Sequence, residues 1–306
     1  MEQIFLVAPI LRWAVTTDLA NQLKGDGIPL GRNKWIREYS HPKDGGGWER
    51  FHYPETDPKK RRLEEAKFAF FMTEGDAESA QTVAMFMKFV RDGDLEIDCW
   101  HKGTKGGPIK NIHLNDSRAS RGKNAGLEKS WEAVQYTLDD MKLVAQMSEV
   151  YFDKIVSSVE NNKFMSVFNG INFARVTFSI TNWDQRIFIP LLGTALECLF
   201  SSGKKTEITH QIAENIAWFL FAEDEDKRYE AYSRFKQFYS LRSEIVHEGY
   251  SETELNEQRL LYENALDYLR DGIKKILLSP ELLGKFETRN SKEKFLLSLV
   301  LGSKQL

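Results

Sequence analysis

The segment EDKRYEAYSRFKQFYSLRSEIVHEG, residues 225–249, sets the tightest constraint on how this chain folds. In its second half Phe235, Phe238, Tyr239, Arg242, Ile245 and Val246 recur at steps of three or four. That period predicts one long helix over Glu225–Glu248 with an apolar side that other helices must cover. Gly249 is the residue best able to adopt the left-handed conformation that ends a helix. Arg242 falls in the middle of the apolar stripe. A guanidinium cannot lose its proton, so once it leaves water it must find an anion or several acceptors.

The flanking sequence supplies the covering helices. Phe164–Ile180 and Trp183–Phe200 come first, with Thr181-Asn182 as the expected cap of the second. Lys205–Phe221 follows, opened near Thr206 and ended by the acidic Glu223–Asp226 run, which reads as a solvated helix junction. Glu252–Leu278 is expected to start from Ser251 as N-cap and to close before Pro280, and Ser291–Leu301 forms a last helix. Upstream, Leu127, Trp131, Val134, Leu138, Met141, Val144 and Ala145 form another helical stripe, continued by Val150–Val159. This stretch reads as one long helix or as two broken near Asp139–Asp140.

The first 125 residues differ in character. Glu2–Val15, Lys67–Met72, Leu95–Trp100 and Ile109–Leu114 read as strands, and Asp76–Val90 as a helix. HPKDGGGW (41–48), DPKKRR (57–62) and the 115–126 stretch with Arg118, Arg121 and Lys123 read as exposed loops. Gly103–Gly107 lacks the spacing of a phosphate-cradling loop. The expected class is therefore α+β overall: a mixed α/β domain over 1–125, a helical connector over 126–165 and an all-α domain over 166–306.

A net charge of −3 gives no global pull toward nucleic acid, so any such contact must come from a local patch. Cys99 and Cys198 are too few for a disulfide framework. The opening MEQIFLVAPILRWAV has neither a basic leader nor a small-residue cleavage pattern, and no apolar run reaches transmembrane length. The expected setting is a reducing cytoplasm, with no membrane partner.

His247 lies five residues after Arg242, about 140° round the helix, in its last turn. Imidazole titrates near neutrality and can give or take a proton, while a guanidinium can hold a phosphate with two hydrogen bonds. RNA carries its own nucleophile in the 2′-hydroxyl, so a pair of this kind can cleave it without a metal or cofactor. Ser243 and Glu244 lie between the two and are candidates to orient water or substrate. Tyr239 and Tyr250 are candidates to stack on unpaired bases, whereas Phe238 reads as core. Arg-to-His spacings of this length arise readily by coincidence in a chain with six histidines. The bland alternative is a buried Arg242 paired with a helix carboxylate such as Glu197, beside a His247 favoured by the helix dipole. His210 has no partner at helical spacing and is expected to face water. His41, His52, His101 and His113 show no metal-site pattern.

The ordered set IPLLGTALECLF, then EITHQIAENIAWFLF, then RSEIVHEG resembles the Apea-like branch of the HEPN family over about residues 182–278. FARVTFSI just upstream is similar to that family's first helix. The resemblance does not extend to the N-terminal 125 residues. It implies a HEPN-like helical domain that homodimerises and sets two Arg/His motifs face to face. It further implies a metal-independent endoribonuclease of a toxin or antiviral (abortive-infection) system, with RNA as substrate and room for a neutralising partner. Arg242 and His247 match the motif, and Ser243 stands where many members carry Asn, Asp or His. Glu197 is implied as a carboxylate that holds Arg242 or as a second polar group of the site. The alternative is a non-catalytic helical module that binds a nucleotide, an RNA or a protein partner.

Overall fold

A computed structural model describes residues 4–10, 14–31, 33–39, 67–72, 77–91, 99–104, 109–114, 135–179, 184–202 and 207–302. The chain divides into two compact units. One is Met1–Asp153 with Phe178–Asn182; the other is Lys154–Thr177 with Trp183–Leu306. The loops expected at 41–48, 57–62 and 115–126, and the upstream stripe through Leu127, Trp131 and Val134, lie outside the described residues.

The first unit contains a six-stranded sheet ordered β3-β4-β5-β1-β6-β7. Its strands are β1 (Ile4–Ile10), β3 (Ile28–Pro29), β4 (Lys34–Glu38), β5 (Phe68–Met72), β6 (Cys99–Thr104) and β7 (Ile109–Leu114). Every pairing in it is antiparallel. The strand β5, FAFFM, is buried at all five positions, which a continuous apolar run permits only where both faces of the sheet are covered. Tyr39, Ala69 and Phe71 pack with Trp35, and the Arg37 guanidinium lies 3.9 Å over the Phe71 ring. Two short strands, β2 (Ala14–Val15) and β8 (Gln135–Tyr136), pair parallel in a separate ladder. Among the described residues the unit also has the helices α1 (Thr17–Lys24), α2 (Ala77–Val90) and α3 (Leu138–Glu149).

Several expectations are corrected here. The first strand is in two pieces, with 11–13 outside the described residues. The strand expected at Leu95–Trp100 is described only from Cys99 and runs on to Thr104, because β1 and β7 offer it partners on both sides. The aspartates expected to break a helix instead begin one. Thr137 caps α3, its hydroxyl accepting from the Asp140 amide while the Asp140 carboxylate accepts from the Thr137 amide, a reciprocal capping box. The helical stripe is therefore interrupted at Gln135–Tyr136 by a strand. Asp140 also pairs with Arg91 at 2.5 Å, and its carboxyl is held below its ordinary range: burial opposes the shift, but the Thr137 and Arg91 bonds outweigh it. Beyond α3 the chain tightens from a π-helical turn (Val150–Ile155) into a 3-10 turn (Val156–Asn161).

Every regular element described in the second unit is helical. The unit contains α4 (Met165–Ser179), α5 (Gln185–Phe200), α6 (Ile208–Phe221), α7 (Glu225–Glu248), α8 (Leu255–Leu278), α9 (Pro280–Lys285) and α10 (Arg289–Val300). The helix α7 has the expected bounds and ends at Gly249 with φ 80°. It packs against α5, α6 and α8 through Ala231, Phe235, Phe238, Leu241 and Ile245. Val246, expected in that stripe, is half exposed because Leu241 and Ile245 carry the buried line to the helix end. Asp184, not Thr181-Asn182, caps α5; it accepts from the Arg186 amide. Thr206 and Thr181-Asn182 lie outside the described residues. Ser251 is not the N-cap of α8, which starts three residues later after Glu254. Its hydroxyl instead donates to Glu244 and accepts from the Thr253 amide.

Lys292 on α10 is buried, and its ammonium donates to the Cys198 carbonyl in the last turn of α5 at 2.8 Å. Burial brings its pKa down to about 8. The unfolded chain therefore holds this proton more tightly than the native state does. The penalty for charging Lys292 is complete below pH 8 and vanishes as pH rises past the unfolded value. Against a Lys292→Met control, wild-type stability is expected to gain roughly 2–3 kcal/mol between about pH 7.5 and 10.5. Urea melts of both proteins across that range check this, and a difference independent of pH would refute it.

Candidate functional site

The site is built where α7 crosses α5. Gly193 and Glu197 lie one turn apart on α5 and so share a face. Tyr239 and Arg242 lie three residues apart on α7 and share another. Gly193 leaves room for the arginine: a Cβ there would stand 2.8 Å from both Cδ and Nε of Arg242. With that space open, the stem of Arg242 lies across α5 and its head reaches the carboxylate one turn on. Arg242 Nη2 stands 3.2 Å from Glu197 Oε1, with side chains 21% and 26% exposed.

The same oxygen, Glu197 Oε1, accepts a 2.6 Å hydrogen bond from the Tyr239 hydroxyl. The Arg242 guanidinium also lies 5.1 Å over the Tyr239 ring. Burial, then the Glu197 bond, pushes the Tyr239 hydroxyl up to about 12, so it remains a donor at neutral pH. Arg242 Nε is buried against Gly193 without a hydrogen-bond partner among the described residues. The guanidinium is thus engaged at one end and unsatisfied at the other, a state that a planar five-donor group leaves open to a better acceptor.

His247 is exposed in the last turn of α7, and no described residue bonds to its ring. No hydrogen bond joins it to Arg242: α7 turns one side chain onto α5 and the other toward solvent. Ser243 is half-buried beside Arg242. Glu244 is committed elsewhere, accepting from Ser251 at 2.5 Å and tying the chain after Gly249 back to α7. Tyr250 is 57% exposed. Of the two tyrosines named as stacking candidates, Tyr239 has its hydroxyl turned to Glu197 and its ring under Arg242, and Tyr250 is open. Two features escaped sequence reasoning. Gly193 was signalled only by its place one turn before Glu197, and the Tyr239 bond to Glu197 had no sequence signal.

His210 faces water as expected, but it is not without a partner at helical spacing. Its ring is 2.8 Å from the Tyr232 hydroxyl through Nδ1, and Nε2 lies 3.9 Å from Glu214, one helical turn on. On the described residues, a cavity of about 330 Å³ lies at the α6–α7 junction, lined by Leu220–Asp224, Lys227 and Lys275. It is separate from the Arg242 cluster. No group of three or more His, Cys, Asp or Glu able to hold a metal occurs among the described residues. No described helix is long and apolar enough to cross a membrane. Compared with protein-family models, curated proteins and solved structures, the chain gives no match in any of the three.

The Gly193 gap belongs to the site more than to the fold. Gly193→Ala is expected to leave the melting temperature unchanged or raised by a few degrees, since alanine is favoured over glycine in a helix by about 0.5–1 kcal/mol. The same change is expected to push Arg242 off Glu197, visible as a shifted Arg242 Nε–H NMR signal. A lowered melting temperature with that signal unmoved would contradict this account.

Proposed function

We propose that the helical unit is a HEPN-type, metal-independent endoribonuclease with a toxin or antiviral defence role. In this reading Arg242 holds the scissile phosphate and His247 moves the proton between the 2′-hydroxyl and the leaving 5′-oxygen. The observation that carries it is the contrast at the end of α7. A half-buried, incompletely satisfied guanidinium lies on one side, and an exposed imidazole with no bond from a described residue lies five residues on. Structural arginines are normally saturated and structural histidines bonded. His247 is exposed in the last turn of α7, which leaves its imidazole open to act as acid in one step and base in the other.

The active form is a homodimer in this proposal. Val246, Tyr250 and Leu255 are exposed around the end of α7, at 49%, 57% and 64%. Apolar side chains gathered beside a candidate site favour a partner surface there, and a two-fold axis would double each group of a sparse site. The half-exposed Tyr250 ring remains free to stack on an unpaired base.

One observation favours the second reading, a non-catalytic helical module that binds a nucleotide, an RNA or a protein. Glu197 already supplies an anion to Arg242. Induced expression in cells separates the two. Wild-type protein is expected to arrest growth and leave discrete RNA fragments, and the Arg242→Ala/His247→Ala double variant to do neither. Intact RNA and equal growth with both proteins, each present at the same level, would favour the binding module.

A further inference from the structure

One carboxylate oxygen is shared by two donors on α7. Glu197 Oε1 takes the Tyr239 hydroxyl at 2.6 Å and faces Arg242 Nη2 at 3.2 Å. The shorter contact is to the neutral hydroxyl. The charged partner is held more loosely, and its Nε is buried without a partner among the described residues. A carboxylate that saturated Arg242 would form the two-pronged fork typical of strong arginine pairs. This one meets Arg242 through Oε1, the same oxygen that accepts from Tyr239.

We infer that Glu197 is a resident anion occupying the phosphate position of Arg242, and that Tyr239 is the positioning residue that retains the carboxylate when a phosphodiester displaces it. The inference rests on reading Arg242 as a phosphate ligand. It adds a regulatory contact: the resting site is closed by its own carboxylate, and substrate opens it by anion exchange. Tyr239 makes the exchange reversible. Its hydroxyl stays protonated and keeps a bond to Glu197 after Arg242 lets go, so the displaced carboxylate is not left half-buried without a donor. Gly193 contributes by keeping the arginine stem in place while only the head changes partner.

A simpler role for Glu197, that of holding Arg242 upright, predicts the opposite response. If Glu197 only orients the guanidinium, removing its charge loosens Arg242 and weakens anion binding. If Glu197 competes, removing its charge strengthens binding. Tyr239→Phe divides the two ideas again. Without the hydroxyl, Glu197 has only Arg242 to bond, so an incoming phosphate faces a stronger competitor.

The test uses the full chain labelled with nitrogen-15. The Arg242 Nε–H signal, protected by its burial and identified by its loss in Arg242→Lys, is followed through a titration with inorganic phosphate. Glu197→Gln is expected to bind phosphate about two- to fivefold more tightly than wild type, the range that a partly exposed ion pair allows. Tyr239→Phe is expected to bind it about threefold more weakly. In parallel RNA-cleavage assays Glu197→Gln should lower KM with little change in kcat, the signature of a lost ground-state competitor. Unchanged or weaker phosphate binding by Glu197→Gln overturns the inference, as does a shift in the same direction for both variants. Tighter phosphate binding with no RNA cleavage by any form keeps the anion exchange and removes the ribonuclease reading. Cleavage by wild type without tighter binding in Glu197→Gln does the reverse.

Discussion

A guanidinium taken out of water obliges the surrounding protein to supply an anion, and the crossing of α5 and α7 is arranged around that obligation. Gly193 brings the two helices close enough for Arg242 to lie flat, Glu197 meets its head, and Tyr239 steadies Glu197. Stability does not explain the arrangement. A partly exposed ion pair contributes about 0–1 kcal/mol, whereas each fully buried side chain such as Phe235 or Phe238 contributes about 1.5–3 kcal/mol. The buried Nε without a partner costs about 1–3 kcal/mol more. An apolar residue at this position would serve the core as well or better. The arginine is therefore kept at some expense to the fold, which points to a use other than packing.

Three other partly buried cations of the helical unit stand in contrast to it. Lys292 donates to the Cys198 carbonyl at the end of α5. Lys275 donates to the Phe219 carbonyl, and Arg228 to the Phe221 and Ala222 carbonyls, all at the end of α6. Each of these satisfies carbonyls that a helix end leaves without intrahelical partners and sits at the negative pole of the helix dipole. Arg242 does neither. It issues from the body of α7, away from either end, and meets a side-chain anion on the body of a neighbouring helix. Three cations finish helices; Arg242 holds a carboxylate that could be exchanged for another anion.

How much of this was legible in sequence follows from how local each signal is. The bounds of α7 were readable because an acidic start and a terminal Gly249 act within the helix itself. The stop of α8 before Pro280 was readable for a similar reason, whereas α10 begins two residues before the expected Ser291, at the Thr288 cap. The reciprocal cap at Thr137–Asp140 was readable in principle, but the apolar stripe on either side of it has the same period, and the stripe won. The strand at Gln135–Tyr136 is imposed by Ala14–Val15, more than a hundred residues away, and nothing local announces it. The short α1 and the strand β4 were missed for the same reason, since Lys34–Glu38 alternates weakly and is fixed by β3 and β5. At the site, the need of Arg242 for an anion was legible from its place in the stripe. Which oxygen it would share, and with whom, depended on a helix crossing that no spacing records.

Helical geometry also limits what one chain can do with Arg242 and His247. Five residues separate them, a rise of about 7.5 Å and a turn of about 140°. Arg242 is drawn further from His247 by its packing on α5, while His247 projects into solvent. A single phosphodiester held by Arg242 at the α5 face would sit behind the imidazole of the same helix. On the proposed reading, the simplest way to bring an imidazole to that phosphate is a second copy of α7 related by a two-fold axis. The partner then presents its exposed histidine where this chain presents its arginine, and the reverse holds at the other half of the groove. The exposed Val246, Tyr250 and Leu255 flank the end of α7 in sequence and would be available to such a contact. On the same reading, an imidazole with no bond from its own described residues would find its working partner in the other subunit or in the substrate.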